Sequence, residues 1–183
     1  MGAHSGRPDE EHPEYVQRNR LFEDNVIDDL NSNPDGWRPL PMIDTLPPIA
    51  NIGKSAANIG SLVNILDMDG GIRSEPLVVD YYEDIYPSIA LILAAKGLNL
   101  DIEDIKVTIS SEVQLGRLKI KTDEESLMKT FFYNDDGYGS AFPVDSFFDV
   151  IEGKVPTSKY KDKIVLIGST AVGVGTTMVT PIN

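Results

Sequence analysis

The chain has 183 residues, of which 41% are hydrophobic and 25% are charged, a composition typical of one globular domain with a core of ordinary size. Acidic residues outnumber basic residues 29 to 16, and the formal charge of −13 argues against nucleic acid and anionic membrane as partners. The chain has no cysteine, and its two histidines, His4 and His12, lie in the polar opening segment. We therefore predict no cofactor, no metal, no thiolate catalysis and no Ser-His-Asp triad.

The N-terminal third is predicted to contain a polar terminal segment and two helices separated by a proline-rich stretch. Residues 1–13 are small and polar, as in an expression tag or a disordered terminus, and residues 14–183 are predicted to form a single domain. Apolar residues recur at helical spacing over residues 14–30, which predicts a helix with one apolar stripe. Prolines then interrupt the chain, and a short helix is predicted over residues 48–58.

A turn with two acids and two glycines separates the apolar runs 59–66 and 72–79, which predicts a hairpin. The sequence Asp67-Met68-Asp69-Gly70 also resembles the middle of an EF-hand loop. An EF-hand is excluded because its first and last ligand positions would be Ile65 and Pro76. Arg73 could anchor an anion, or it could form an ion pair with one of these two acids.

The middle of the chain alternates between helix and strand patterns. A proline, a serine and a closing glycine delimit a helix over residues 87–98, which is apolar almost all round and is expected to be buried. Residues 105–109 and 113–120 predict a surface hairpin. The remaining predicted elements are a strand over residues 127–133, a polar loop over 134–139 containing Asp135 and Asp136, and a helix over 144–151.

The last predicted strand is the strongest single pattern in the chain. Residues 163–167 are Lys-Ile-Val-Leu-Ile and are followed by Gly168, which predicts a strand buried on both faces at the centre of a sheet. The glycines beyond it lack the lysine of a phosphate-binding loop and the third glycine of a dinucleotide fingerprint. Together the elements predict a mixed α+β fold, with a central mixed sheet that contains hairpins and is flanked by helices.

Five segments of the chain resemble, in order, those of the CHASE2 domain, a sensor module of bacterial receptors. The segments are Gly60-x-x-Val63-Asn64; Asp67-x-Asp69-Gly70-x-x-Arg73-x-x-Pro76-Leu77; Tyr86-Pro87-Ser88-Ile89-Ala90-Leu91; Phe132-Tyr133-Asn134 with Gly137 and Gly139; and Phe142 to Gly153, leading into Tyr160-x-x-Lys163-Ile-Val-Leu-Ile-Gly168-x-Thr170-Ala171-x-Gly173 and Thr180-Pro181. The match spans residues 46–181 and the C-terminal two thirds of the family pattern.

The resemblance implies a noncatalytic extracytoplasmic sensor, on the periplasmic or extracellular face of a bacterial inner membrane. It also implies that a transmembrane signalling protein carries the domain, with a nucleotide cyclase, histidine kinase or Ser/Thr kinase output outside this chain. Its partner would be a small-molecule or protein ligand, and it could form a homodimer. From the residues alone, the candidate ligand-binding side chains are Asp67, Asp69, Arg73, Asp135 and Asp136.

Two other functions are compatible with the sequence. A carboxylate-dependent hydrolase would need two of the candidate acids to converge with the pKa of one of them raised. A noncatalytic dimerisation module would instead show an exposed apolar patch and association that depends on concentration.

Overall fold

The structure is a computed structural model, and it describes residues 22–31, 38–42, 45–82, 84–133, 142–169 and 178–181. The described strands are β1 Leu30–Asn31, β2 Leu40–Met42, β3 Ser74–Pro76, β4 Val78–Tyr81, β5 Asp84–Pro87, β6 Ile105–Thr108, β7 Glu112–Leu115, β8 Leu118–Lys121 and β9 Leu127–Lys129. The described α-helices are α1 Ala50–Gly53, α2 Ile89–Gly97 and α3 Phe147–Ile151. This content confirms the predicted mixed α+β class.

The chain divides into two compact units. The first unit comprises residues 1–65 and 74–129, and the second comprises residues 66–73 and 130–183. The expectation of a single domain over residues 14–183 stays a prediction.

The first unit contains all nine described strands, in three small sheets with the orders β1-β6-β7-β8, β2-β4-β5 and β3-β9. The pairs β1–β6 and β2–β4 are parallel, whereas the other pairs are antiparallel. Two of the sheets are therefore mixed, as predicted, although the strands are spread over three sheets.

The core of the first unit lies where strands β4 to β7 meet helix α2. Its members are aliphatic and nearly inaccessible to solvent, as expected for β-branched and leucine side chains on the inner faces of strands. They are Ile27, Leu77, Val78, Ile85, Leu91, Ala95, Ile102, Ile105, Val107, Val113 and Leu115.

Helix α2 begins and ends close to its predicted bounds. The Ser88 hydroxyl accepts a hydrogen bond from the Leu91 N–H at 3.2 Å, which caps the first turn. The left-handed residue after the helix is Asn99, with φ of 56°, and not the predicted glycine. Leu91, Ile92 and Ala95 are buried, and Leu91 and Ala95 belong to the core with strand residues, so the helix packs against the sheet through one face, while the rest of its apolar residues are partly or fully exposed.

The predicted pairing of the hairpin over residues 105–120 is confirmed and gains a third strand, but its predicted surface position was wrong, because Ile105, Val107, Val113 and Leu115 belong to the core. Gly116 has φ of +57°, which allows a tight turn that divides the run 113–120 into β7 and β8. An added Cβ at Gly116 would lie 2.9 Å from the Leu100 side chain, so the turn is also closely packed.

Two predicted elements in the N-terminal half were wrong because their backbone pairs with distant strands. The described part of the helix predicted over residues 14–30 contains a short 3₁₀ turn, Glu23–Asn25, and strand β1. The two halves of the hairpin predicted around residue 70 also do not pair with each other. The first half contacts the start of α2, where the Ser61 N–H donates to the Pro87 carbonyl, and β3 in the second half pairs with β9.

The second unit departs most from expectation at residues 164–167. They lie outside regular secondary structure, and Ile164, Val165, Leu166 and Ile167 are 59%, 49%, 79% and 77% exposed. The prediction of a buried central strand was therefore wrong. A strand needs a neighbouring backbone to satisfy its N–H and C=O groups, and no described residue hydrogen-bonds to the backbone of these four residues.

Candidate functional site

Three of the five predicted site residues meet at the turn over residues 67–71, in the second unit. Asp67 and Asp69 lie in the turn, and Arg73 follows it. The Gly70 N–H donates to the Asp67 carbonyl at 2.8 Å, and the Asp67 N–H donates to the Gly71 carbonyl at 2.8 Å. Gly70 has φ of 79°, a conformation that favours glycine. The turn is thus closed by its own backbone.

Arg73 is held by both acids of the turn. Its Nη1 donates to Asp67 Oδ2 at 2.6 Å and to Asp69 Oδ1 at 2.8 Å, and its Nη2 donates to Asp69 Oδ2 at 2.7 Å. The two hydrogen bonds from Arg73 to Asp69 form the bidentate arrangement that suits a planar guanidinium. The ion pair that the sequence offered as one role for Arg73 is confirmed, and it involves both acids.

Backbone contacts hold both sides of this turn in place. The Asp69 Oδ1 also accepts from the Gly71 N–H at 3.0 Å. The Ile72 N–H donates to the Val179 carbonyl at 2.9 Å, and the Thr130 N–H donates to the Arg73 carbonyl at 3.1 Å. Residues far along the chain therefore hold the backbone at Ile72 and Arg73 in place.

The charges in the turn stabilise one another in their ionised forms. The Arg73 hydrogen bonds, followed by that from the Gly71 N–H, hold the pKa of Asp69 well below its ordinary value of 3.8. The same carboxylates, Asp69 before Asp67, raise the pKa of Arg73. Two carboxylates and one guanidinium leave a net charge of −1, and three of the four carboxylate oxygens already accept from Arg73.

The other two candidates, Asp135 and Asp136, lie outside the described residues, as does the polar loop that contains them. Their convergence with the turn, which the hydrolase hypothesis requires, stays a prediction. Among the described members of that set, the Asp69 pKa moves in the direction opposite to that of a general acid.

Sequence reasoning missed a buried carboxylate in the first unit. Asp80 lies in β4, is almost fully buried and forms an ion pair with Arg38. The two residues are 42 positions apart, so no local pattern connects them. The signal that could have found Asp80 is its position as an acid between apolar residues of a strand, because a buried carboxylate requires a partner.

Tyr81, which follows Asp80 in strand β4, belongs to an aromatic cluster of the first unit. The Tyr81 ring packs edge-to-face against Phe22, Tyr82 and Tyr86, with centroids 6.5, 4.6 and 6.1 Å away. A further group with a shifted pKa is Glu75 in β3, where burial raises the pKa above the ordinary value.

No group of three or more His, Cys, Asp or Glu side chains arranged to hold a metal ion occurs within the described ranges. Among the residues that the structure describes, no helix is long and apolar enough to span a bilayer.

Comparison with known proteins gives one family. The family model of the CHASE2 domain matches residues 4–183, which extends the resemblance beyond residues 46–181 and over the N-terminal segments. No curated protein and no solved structure matches the chain. Because the family model covers nearly the whole sequence, the chain belongs to the CHASE2 family of sensor domains.

Proposed function

We propose that this chain is the extracytoplasmic, noncatalytic sensor portion of a bacterial transmembrane signalling protein. The observation that carries the proposal is the family match over residues 4–183. The output domain, a nucleotide cyclase, histidine kinase or Ser/Thr kinase, would lie outside this chain. Signalling then requires a ligand that binds one arrangement of the domain more tightly than another and so shifts a two-state equilibrium.

The electrostatics of the turn at residues 67–71 support binding rather than acid–base chemistry. Arg73 holds the Asp69 pKa low, so this carboxylate stays ionised near neutral pH and cannot donate a proton as a general acid. An ionised, fixed arrangement of charges suits the recognition of a charged group.

The net charge of −1 at the turn favours a ligand that bears an ammonium or guanidinium group. Asp67 is the better contact for such a ligand because only its Oδ2 accepts from Arg73, whereas both oxygens of Asp69 do. Asp67 and Asp69 are 36% and 60% exposed in their side chains, so both are accessible.

A thermal-shift screen tests this proposal. The purified chain is melted with amines, amino acids, nucleotides, carboxylic acids and divalent cations, because selective binding to the folded state raises Tm. We expect a saturable rise with a cationic organic compound, and a smaller rise for Asp67→Asn. The matched control is Glu103→Gln, since Glu103 is an exposed acid of the first unit without a side-chain partner among the described residues.

The two possible failures have different meanings. If no compound class raises Tm, the small-molecule sensor proposal is wrong. If a compound raises Tm equally in the wild type and in Asp67→Asn, the chain is a sensor whose site lies away from this turn.

A further inference from the structure

One acid in a buried strand of the first unit has no partner for its charge. Glu75 is the middle residue of β3, and its neighbours Ser74 and Pro76 are buried. The Glu75 side chain is itself partly buried, and it makes no hydrogen bond or ion pair with any described residue. An ionised carboxylate in such a position costs free energy, because no donor replaces the water that it has lost.

The partner strand β9 places uncharged side chains on the same face as Glu75. Met128 lies directly opposite Glu75 and packs against the core. The Thr130 N–H donates to the Arg73 carbonyl, which continues the register of the pair by one step. Thr130 therefore shares the face of Met128, and its hydroxyl is buried without a partner among the described residues. Neither residue carries a charge that could offset the charge of Glu75.

The charged side chains next to this face are engaged elsewhere. Lys129 lies opposite Ser74, and its Nζ donates to the Ser74 hydroxyl at 2.9 Å on the other face of the pair. Arg73 is bound by both acids of the turn at residues 67–71. Burial is accordingly the cause that raises the pKa of Glu75 above its ordinary value of 4.5. The turn before β9 carries three exposed acids, Asp123, Glu124 and Glu125.

We propose that β3 and β9 form an acid-sensitive strand pair, in which protonation of Glu75 strengthens the contact between the two strands. The carboxyl group is neutral once it has taken up a proton, so the pair no longer encloses an unpartnered charge. Arg73 holds the pKa of Asp69 low, so the charged turn stays intact over the pH range in which Glu75 titrates.

The sign of the effect follows from the direction of the pKa shift. An acid whose pKa is raised on folding destabilises the folded state above its folded pKa, and this loss disappears as the pH falls below its unfolded pKa. The strand pair should therefore be weaker at neutral pH and tighten in acid. Two amides report on the ends of the pair, since the Thr130 N–H donates to the Arg73 carbonyl and the Leu77 N–H donates to the Ser126 carbonyl.

Hydrogen exchange of these two amides, followed by NMR, tests the proposal with Glu75→Gln as the variant. Glutamine keeps the shape of the side chain and carries no charge at any pH. At about pH 7 both amides should be protected severalfold more strongly in Glu75→Gln than in the wild type, and the two proteins should converge by about pH 4. The matched control is Glu103→Gln, which changes an exposed acid of the same unit and should follow the wild type at both pH values.

A carboxyl titration of the wild type measures proton uptake without relying on a variant. With glutamate labelled with carbon-13, the carboxyl resonance of Glu75 should titrate with a midpoint above the ordinary value of 4.5.

Two results would overturn the proposal. One is a Glu75 midpoint at or below 4.5. The other is amide protection that is equal in the wild type and Glu75→Gln at both pH values, or that differs between them by the same factor at both. No ligand enters these measurements, so their outcome is independent of the sensor proposal.

Discussion

Both carboxylate oxygens of Asp69 bind Arg73, and this dictates how the stability of the turn depends on pH. The folded-state pKa of Asp69 lies below its ordinary value of 3.8. A group with a depressed pKa stabilises the folded state above its unfolded pKa, and this contribution is lost as the pH falls through the folded pKa.

We therefore expect Asp69→Asn to lower the free energy of unfolding slightly at pH 7, since exposed ion pairs contribute little. The difference from the wild type should shrink as the pH falls below about 3.9. Urea unfolding at a series of pH values measures this difference in the free energy of unfolding, with Glu103→Gln as the control. A difference that does not change with pH would contradict the proposed role of Arg73.

Side-chain chemistry that acts over a few residues was predictable from the sequence, whereas long-range pairing was not. The ion pair of Arg73 with the acids of the turn joins residues four and six positions apart. The pair between Arg38 and Asp80 was missed because the strands that bring it together, β2 and β4, are separated in the sequence.

At the scale of elements, local signals were reliable where an element satisfies its own backbone. Helix α2 was predicted because its serine cap and proline act within one turn. The β6–β7 hairpin was predicted because its strands are adjacent in the sequence. Residues 164–167 and the hairpin predicted around residue 70 failed because a strand depends on which distant backbone lies beside it.

The cap of helix α2 gives a prediction with a built-in control. Ser88→Ala removes the hydroxyl that accepts from the Leu91 N–H, and should lower the free energy of unfolding by about 1 kcal/mol. Ser146 occupies the same position before α3 but makes no side-chain capping bond, so Ser146→Ala should have little effect. Chemical denaturation of both variants measures the difference, and equal losses would rule out capping as the cause.

At the scale of the whole molecule, the apolar residues are buried very unequally. The buried core residues all belong to the first unit, which also exposes aliphatic side chains such as Leu46, whereas the described part of the second unit exposes several of its largest apolar side chains. Folding stability should therefore come mainly from the core of the first unit.

Truncating leucines at a buried and at an exposed position tests this distribution. Leu91 is 1% exposed and belongs to the core, so Leu91→Ala should lower the free energy of unfolding by about 2–5 kcal/mol. Leu46 is 95% exposed, and Leu46→Ala should change stability by less than about 0.5 kcal/mol. Urea denaturation, monitored by circular dichroism, measures the free energy of unfolding of both variants and of the wild type. A loss for Leu91→Ala as small as that for Leu46→Ala would show that this core does not determine stability.

The division of the chain into two units also has a consequence for the order of folding during synthesis. All strands of the first unit have been made once residue 129 has emerged from the ribosome. Residues 66–73, in contrast, belong to the second unit and must wait for residues 130–183. At about 5–20 residues per second this interval lasts several seconds. During that interval the acids of the turn can already bind Arg73, whereas Val179, the backbone partner of Ile72, is made only near its end.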